Sequence, residues 1–287
     1  MKIKNVIINI LSKLYDRNPI SYKFLRELYR AEGKEKLKKG LKCIVVLPCI
    51  PIWDYMANKE AEKIRKNGNI YPIRNGKVKF FLPDLDLSHG EFIQNRIFLE
   101  RDYFEILHLS FLKEHIKKNA VILDIGANIG NHTIFFAKEC NAKKIYSFEP
   151  TEKTFQIFKE NIKINQMDHI VVAMNVALGA KNSKVDIIVD ERDAGSNHVK
   201  ECTNGNTVMN TLDGVSIHER IDFVKIDVEG YEFEVLKGGE KTITKSKPDI
   251  FIEIFDVNYD RVNDLLKQMG YECDFRTEQD YLYKYKE

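Results

Sequence analysis

The chain has 287 residues, 44% hydrophobic and 31% charged, an ordinary soluble globular mixture with room for one large domain and an attachment. A net charge of +2 argues against a nucleic-acid partner for the chain as a whole, and no apolar run reaches the roughly 20 residues that span a bilayer. The five cysteines (Cys43, Cys49, Cys140, Cys202 and Cys273) are odd in number and widely spaced, which disfavours a zinc site or a disulfide framework and points to a reducing cytoplasm.

Residues 1–66 read as helical, with Val6, Ile7, Ile10, Leu11 and Leu14, then Phe24, Leu25, Leu28 and Tyr29, at helical spacing. A proline-broken apolar patch from Ile44 to Trp53 interrupts them. Residues 1–50 hold 12 Lys/Arg against 4 Asp/Glu, so a +8 head precedes a body of net −6. No small-residue cleavage site follows Met1–Leu14, so a signal peptide fits poorly. Segment 1–68 is then a helical cap, a homo-oligomer contact or part of the acceptor site, or else a basic amphipathic surface for the inner face of a membrane or another anionic partner. Segment 69–118 follows as a hairpin and an approach helix. Ile70–Ile73 and Lys77–Leu82 flank the tight-turn pair Asn75-Gly76. A helix is expected over 91–117 with Phe104, Leu107, Phe111 and Leu112 on one face.

From 120 onward strands and helices alternate. Strands are expected at 120–124, 144–149, 169–176, 184–189, 222–228 and 249–255, helices at 129–140, 151–165, 231–244 and 258–269, and two closing strands at 271–276 and 280–285. This pattern predicts an α/β domain over 119–287, a mostly parallel sheet covered on both faces with an antiparallel addition at one edge.

In such sheets ligands bind beyond the carboxyl ends of the strands. Val121-Ile122-Leu123-Asp124-Ile125-Gly126-Ala127-Asn128-Ile129-Gly130-Asn131 reads as a buried strand entering a glycine turn and a helix. Gly126 and Gly130 allow close backbone approach, and the helix start offers free N–H groups. The glycine spacing is G-x-x-x-G, not the G-x-G-x-x-G of a dinucleotide site, and an acid stands two residues before it. A carboxylate there repels a pyrophosphate but suits an ammonium or a hydroxyl, so a nicotinamide-dependent oxidoreductase is disfavoured. The second strand ends at Phe148-Glu149-Pro150, where an acid can accept both hydroxyls of a ribose. The alternative is that Glu149 caps the next helix, a job also open to Thr151. In Lys225-Ile226-Asp227-Val228-Glu229 three charges alternate with apolar residues and should share one side. A structural Lys–Asp pair would explain them, yet Glu253 repeats the anomaly on the neighbouring strand, which favours a polar active site.

These residues resemble the FkbM family of S-adenosylmethionine-dependent methyltransferases. The likeness rests on Asp124–Gly130, Phe148-Glu149-Pro150, Asn175-Val176-Ala177-Leu178-Gly179, Thr211-Leu212-Asp213, Lys225–Glu232 and Pro248–Ile254 in order, and covers roughly residues 100–275. It implies a Rossmann-like class I methyltransferase fold with seven strands, the last antiparallel. It also implies that Asp124, Gly126 and Asn128 surround the methionine part of the cofactor, that Glu149 holds the ribose and that Asn175 and Ala177 flank the adenine. Ala127, Gly130, Asn131, Thr133, Pro150 and Asp227 are further expected cofactor-binding residues. Where the family often has Gly-x-Tyr-Glu, this chain reads Arg101-Asp102-Tyr103-Phe104-Glu105.

A hydroxyl acceptor needs a base or a metal. Asp227 and Glu229 are the leading candidates, then Glu253, with His198 in a polar loop and His89 behind them. The same carboxylates suit a divalent metal, and the sequence leaves that open. The expectation is an O-methyltransferase for a sugar hydroxyl, nucleotide-linked or in a cell-surface (capsular) polysaccharide. Lipid or macrolide acceptors, or an inactive cofactor-binding module, are the alternatives.

Overall fold

In a computed structural model of the chain, residues 50–189, 197–201, 205–277 and 279–286 are described here. The expectations for residues 1–49 lie outside them. The chain divides into two compact units, residues 1–104 and 105–287.

In the first unit, helix α1 (Ile50–Lys66) precedes strands β1 (Ile70–Ile73) and β2 (Val78–Phe81), which pair antiparallel as the Asn75-Gly76 signal predicts. The helix begins within the patch expected to interrupt it. Pro51 is tolerated there because a first-turn residue needs no N–H partner. Helix α2 (Phe92–Glu100) follows, and the Glu91 side chain accepts the N–H groups of Ile93 and Gln94 to cap it. Tyr71, Phe80, Phe98 and Tyr103 are buried between these elements.

The single helix expected over 91–117 is two helices. Arg101 and Glu105 both adopt left-handed backbone (φ 56 and 58), which ends α2 and starts α3 (Ile106–His115). The expected apolar face changes accordingly: Leu109 and Leu112 are buried, whereas Leu107 is 83% exposed and Phe104 precedes the helix.

The second unit is built on β3 (Val121–Ile125), β4 (Lys144–Phe148), β5 (Val171–Met174), β10 (Phe223–Ile226), β11 (Asp249–Glu253), β12 (Tyr271–Arg276) and β13 (Asp280–Tyr285). Their order across the seven-stranded sheet is β12-β13-β11-β10-β3-β4-β5. The first five pair in parallel, and β13 inserts antiparallel between β11 and β12. Helices α4 (Asn131–Glu139), α5 (Glu152–Ile164), α6 (Glu232–Gly238), α7 (Glu240–Ser246) and α8 (Tyr259–Gln268) supply the crossovers and the cover. The helix expected over 231–244 is broken between α6 and α7 at Gly238-Gly239. A Cβ on Gly238 would stand 1.9 Å from the Gly179 carbonyl, so this close approach admits only glycine.

The strand expected at 184–189 does not join this sheet. It is β7 (Ser183–Val189) of a second, four-stranded sheet ordered β6-β9-β7-β8, with β6 (Ala177–Leu178), β8 (Asn197–Glu201) and β9 (Thr207–Asn210). The strand expected over 169–176 is shorter, β5 at Val171–Met174, and β6 follows beyond it.

One face of the large sheet is apolar throughout, with Leu123, Ile125, Val224, Ile226, Ile250 and Ile252 packed under α6 and α8. The other changes character along each strand. Ile122, Ile145, Phe223 and Phe251 give way, two residues later, to Asp124, Ser147, Lys225 and Glu253. Alternation puts each pair on one face, so this face is greasy at its start and polar at its carboxyl end, where α4 and α3 begin.

Candidate active site

Strand register lines up Ser147, Asp124 and Lys225 side by side. The Thr133 hydroxyl on α4 reaches down to this row, donating to Asp124 Oδ2 at 2.5 Å and lying 2.9 Å from Ser147 Oγ. Lys225 Nζ donates to the Gly126 carbonyl at 2.8 Å and lies 3.1 Å from Asp227 Oδ2 and 3.7 Å from Asp124 Oδ1. The ammonium and the hydroxyl that suit Asp124 are thus supplied by the chain itself. Asp124 is fully enclosed and shapes the turn from beneath.

The turn depends on its glycines. Gly126 has φ +80, and a Cβ there would fall 1.8 Å from the Asp227 carbonyl oxygen. Gly130 has φ +89 with the Phe158 ring 2.4 Å from an added Cβ. Gly126 and Ala127 both donate their N–H to the Phe148 carbonyl (3.0 and 2.9 Å), and Asn128 takes a left-handed φ of 50 between them. Asn131 is buried at the start of α4.

Glu149 joins this turn to the next strand. Its Oε2 accepts the Asn128 N–H at 3.0 Å and its Oε1 accepts the Thr151 N–H at 2.8 Å. The capping role and the neighbourhood of the glycine turn therefore coincide in one carboxylate. Burial pushes that carboxyl above its ordinary value. Asn175, exposed after β5, donates its amide to the carbonyls of Glu149 and Pro150 (3.0 and 3.2 Å). Ala177 lies in β6, its methyl group buried with Val185 and Met209.

The expectation that Lys225, Asp227 and Glu229 alternate along one strand is corrected. β10 ends at Ile226, and Glu229 lies in the following turn with φ +53. Lys225 and Asp227 do meet. Burial works against both charges, but each favours the other, and the Lys225 ammonium lies above its ordinary range while the Asp227 carboxyl lies below it. Glu253 is hydrogen-bonded to Asp227, and burial followed by Asp227 repulsion pushes its carboxyl up to about 9, so at neutral pH it is protonated and donates that bond. Glu229 adds weaker repulsion to Glu253.

Four neighbours of this group were not selected from the sequence as site residues. Asp280 stands opposite Glu253 in the β11–β13 register. His108 Nδ1 is 3.9 Å from Asp280 Oδ2. His132, on the first turn of α4, is pushed by burial and by Lys225 down to about 3 and is neutral. Glu105, at the start of α3, reaches solvent, yet partial loss of water and the charge of Asp227 push its carboxyl up to about 7. Its exposure makes that repulsion sensitive to salt. A sequence signal existed only for Glu105, which stands one residue beyond the place of the acid in the family's Gly-x-Tyr-Glu.

The His198 backbone, in β8, pairs with Ile188 of β7, and the His198 side chain lies outside the described residues. His89 is exposed in the first unit, its N–H directed at Asp86. Among the described residues, no group of three or more His, Cys, Asp or Glu is arranged to hold a metal ion, and no helix is long and apolar enough to cross a membrane.

The family profile described as "Methyltransferase FkbM domain" matches residues 124–273, more than half of the chain. The chain belongs to the FkbM methyltransferase family. Two curated relatives resemble it. The hexuronic acid methyltransferase AglP of Haloferax volcanii is 29% identical over 135 residues, 45% of this chain and 54% of AglP. The methyltransferase sdnD of Sordaria araneosa is 26% identical over 221 residues, 64% of this chain and 82% of sdnD. The chain thus spans about half the length of the first and most of the second. A crystal structure of an FkbM methyltransferase from Methylobacillus flagellatus KT aligns with a TM-score of 0.43 at 17% identity, covering 67% of this chain and 52% of that one.

Proposed function

We propose that the chain transfers a methyl group from S-adenosylmethionine to a sugar hydroxyl, as an O-methyltransferase. The observation that carries the donor half is the Glu149–Asn128 link, which brings an acid and a bare glycine turn to the ends of neighbouring parallel strands. Each Glu149 oxygen accepts one backbone N–H and keeps further acceptor capacity, which suits a pair of neighbouring hydroxyls. Gly126 and Gly130 let the turn fold tightly against Asp227 and Phe158, and Asn175 and Pro150 border the same strand end. These residues fit the nucleoside of S-adenosylmethionine, and Asp227, held ionised by Lys225, suits its ammonium. When bound, the cofactor supplies an electrophilic methyl group on a sulfonium.

On the acceptor side, Asp227 is about one-third exposed and clamps the acceptor hydroxyl by accepting its hydrogen bond, while protonated Glu253 holds the carboxylate from behind. Glu229, which acts on Glu253, borders the acceptor end. The sugar assignment draws on the printed activity of AglP toward a hexuronic acid. A nucleotide-linked sugar or a growing capsular polysaccharide is the proposed substrate, in the cytoplasm. Residues 1–68 provide an oligomer contact or a basic surface against the membrane, and 119–287 form the methyltransferase domain.

Calorimetry with S-adenosylhomocysteine tests the donor half: micromolar binding is expected, and no binding by the wild type rejects it. A panel of sugar nucleotides and uronic-acid oligomers incubated with labelled S-adenosylmethionine tests the acceptor half. Label appearing only on lipid or on nothing rejects the sugar.

A further inference from the structure

We propose that Lys225 is a positioning residue whose ammonium clamps the glycine turn after β3 to Asp227 after β10 and keeps Asp227 charged, so that the donor turn and the acceptor-side carboxylate move as one body. This deepens the methyltransferase reading above and rests on it.

The geometry separates this role from that of a plain counter-ion. Lys225 is 2% exposed. A lysine so placed costs several kcal/mol in lost hydration unless it is well paired, and an apolar side chain of similar length would fill the same space without that cost. Its short contacts do not go to the buried acid beneath it. Asp124 Oδ1 is 3.7 Å away and has no hydrogen-bond partner, whereas the Gly126 carbonyl is at 2.8 Å and Asp227 Oδ2 at 3.1 Å. The backbone makes the same junction: the Asp227 N–H donates to the Ile125 carbonyl at 3.1 Å, and a Cβ on Gly126 would overlap the Asp227 carbonyl. Lys225 is therefore the side-chain pin of a hinge that the backbone has already closed.

The surroundings of Asp227 explain why that pin must be a cation. Asp124 on β3, Glu253 on β11, Asp280 on β13, Glu232 on α6 and Glu105 before α3 all act on it or are acted on by it, and His132 on α4 is neutral. Lys225, 3.1 Å away, holds Asp227 ionised against its burial, helped by the hydrogen bond from protonated Glu253. Without that cation, burial favours the protonated form of Asp227.

The test follows S-adenosylhomocysteine binding across about pH 5.5–8.5 by calorimetry, in the full-length wild type, Lys225→Gln and Lys225→Met, with circular dichroism to monitor folding. The glutamine keeps a donor for the Gly126 carbonyl but has no charge. Wild-type affinity should stay within about threefold over this range, because Asp227 remains ionised. Lys225→Gln should bind within about threefold of wild type at pH 8.5 and at least about tenfold more weakly at pH 5.5, as it does if the Asp227 carboxyl of the variant titrates about one unit above that lower pH. Lys225→Met, lacking the clamp as well, should be weaker at both ends. An affinity loss in Lys225→Gln that is absent, or equal at every pH, overturns the inference while leaving the cofactor reading intact. If neither variant folds, the wild-type profile decides: a tenfold loss between pH 8 and pH 5.5 shows that Asp227 is not held charged. A wild type that binds no S-adenosylhomocysteine at any pH rejects the cofactor reading, and this inference with it.

Discussion

Glu149 accepts the backbone N–H of Asn128 at 3.0 Å, so one side chain at the end of β4 fixes the turn at the end of β3. The same carboxylate takes the Thr151 N–H and starts α5. Glu149→Ala leaves both donors without their acceptor, at a cost of about 1–3 kcal/mol, and removes the acid proposed to hold the ribose. Denaturant unfolding should show that loss, and affinity for S-adenosylhomocysteine should fall by at least about tenfold. Glu149→Gln retains one acceptor oxygen and should lose less of both. Unchanged binding in Glu149→Ala would remove the residue from the cofactor site.

Glu253 makes stability depend on pH in a defined direction. Its carboxyl is raised from an ordinary value near 4.5 to about 9 in the folded chain. The folded state therefore holds a proton that the unfolded state has already released. This contribution is complete below about pH 4.5 and is lost as pH rises toward 9 and beyond. Glu253→Gln keeps a donor toward Asp227 and cannot ionise. Thermal midpoints measured at pH 5, 7 and 9.5 should show the wild type falling relative to the glutamine variant as pH increases. A constant difference contradicts the buried, protonated assignment.

The two turn glycines should respond differently to alanine. At Gly126 the added methyl meets backbone, the Asp227 carbonyl, and φ is +80, so strand ends must separate. At Gly130 the obstacle is the Phe158 ring, which has side-chain freedom, although φ of +89 still costs about 1 kcal/mol or more. Gly126→Ala should abolish S-adenosylhomocysteine binding or prevent folding, while Gly130→Ala should fold with reduced stability. Equal tolerance of both changes would mean that the β3 and β10 ends are not tightly joined.

The sheet was legible because its signals are local. Continuous apolar runs at β3, β4 and β11 end in a charged residue, and each is followed by helical spacing. The small second sheet was not. β6 has two residues and β9 four, and neither is long enough to show alternation. The break between α2 and α3 was missed because Arg101 and Glu105 adopt left-handed backbone without the glycine that usually marks it. At the site, Asp124, Glu149 and Asp227 stood out as acids at apolar strand ends. Asp280 and His108 did not, because only the insertion of β13 beside β11 sets Asp280 opposite Glu253 and within 3.9 Å of His108. Pairing between residues so far apart in the chain leaves no local trace.

The polar floor under the turn gives the last prediction. Asp124 is enclosed, and its nearest hydrogen-bond donor is Thr133 at 2.5 Å, which also touches Ser147. Thr133→Val keeps the shape and removes the hydroxyl, so it should cost about 1–3 kcal/mol, the range for leaving a buried polar group without its partner. Burial already raises the Asp124 carboxyl, and loss of the Thr133 donor should raise it further. A raised carboxyl loses stability as pH rises, so the deficit of Thr133→Val should be larger at pH 7 than at pH 2.5, where the acid is protonated both folded and unfolded. Asp124→Asn removes that charge. In a double-mutant cycle at pH 7, adding Thr133→Val to Asp124→Asn should cost at least about 1 kcal/mol less than adding it to the wild type. Additive effects would show that the hydroxyl serves Ser147 and the helix start, and that Asp124 is held by Lys225 alone.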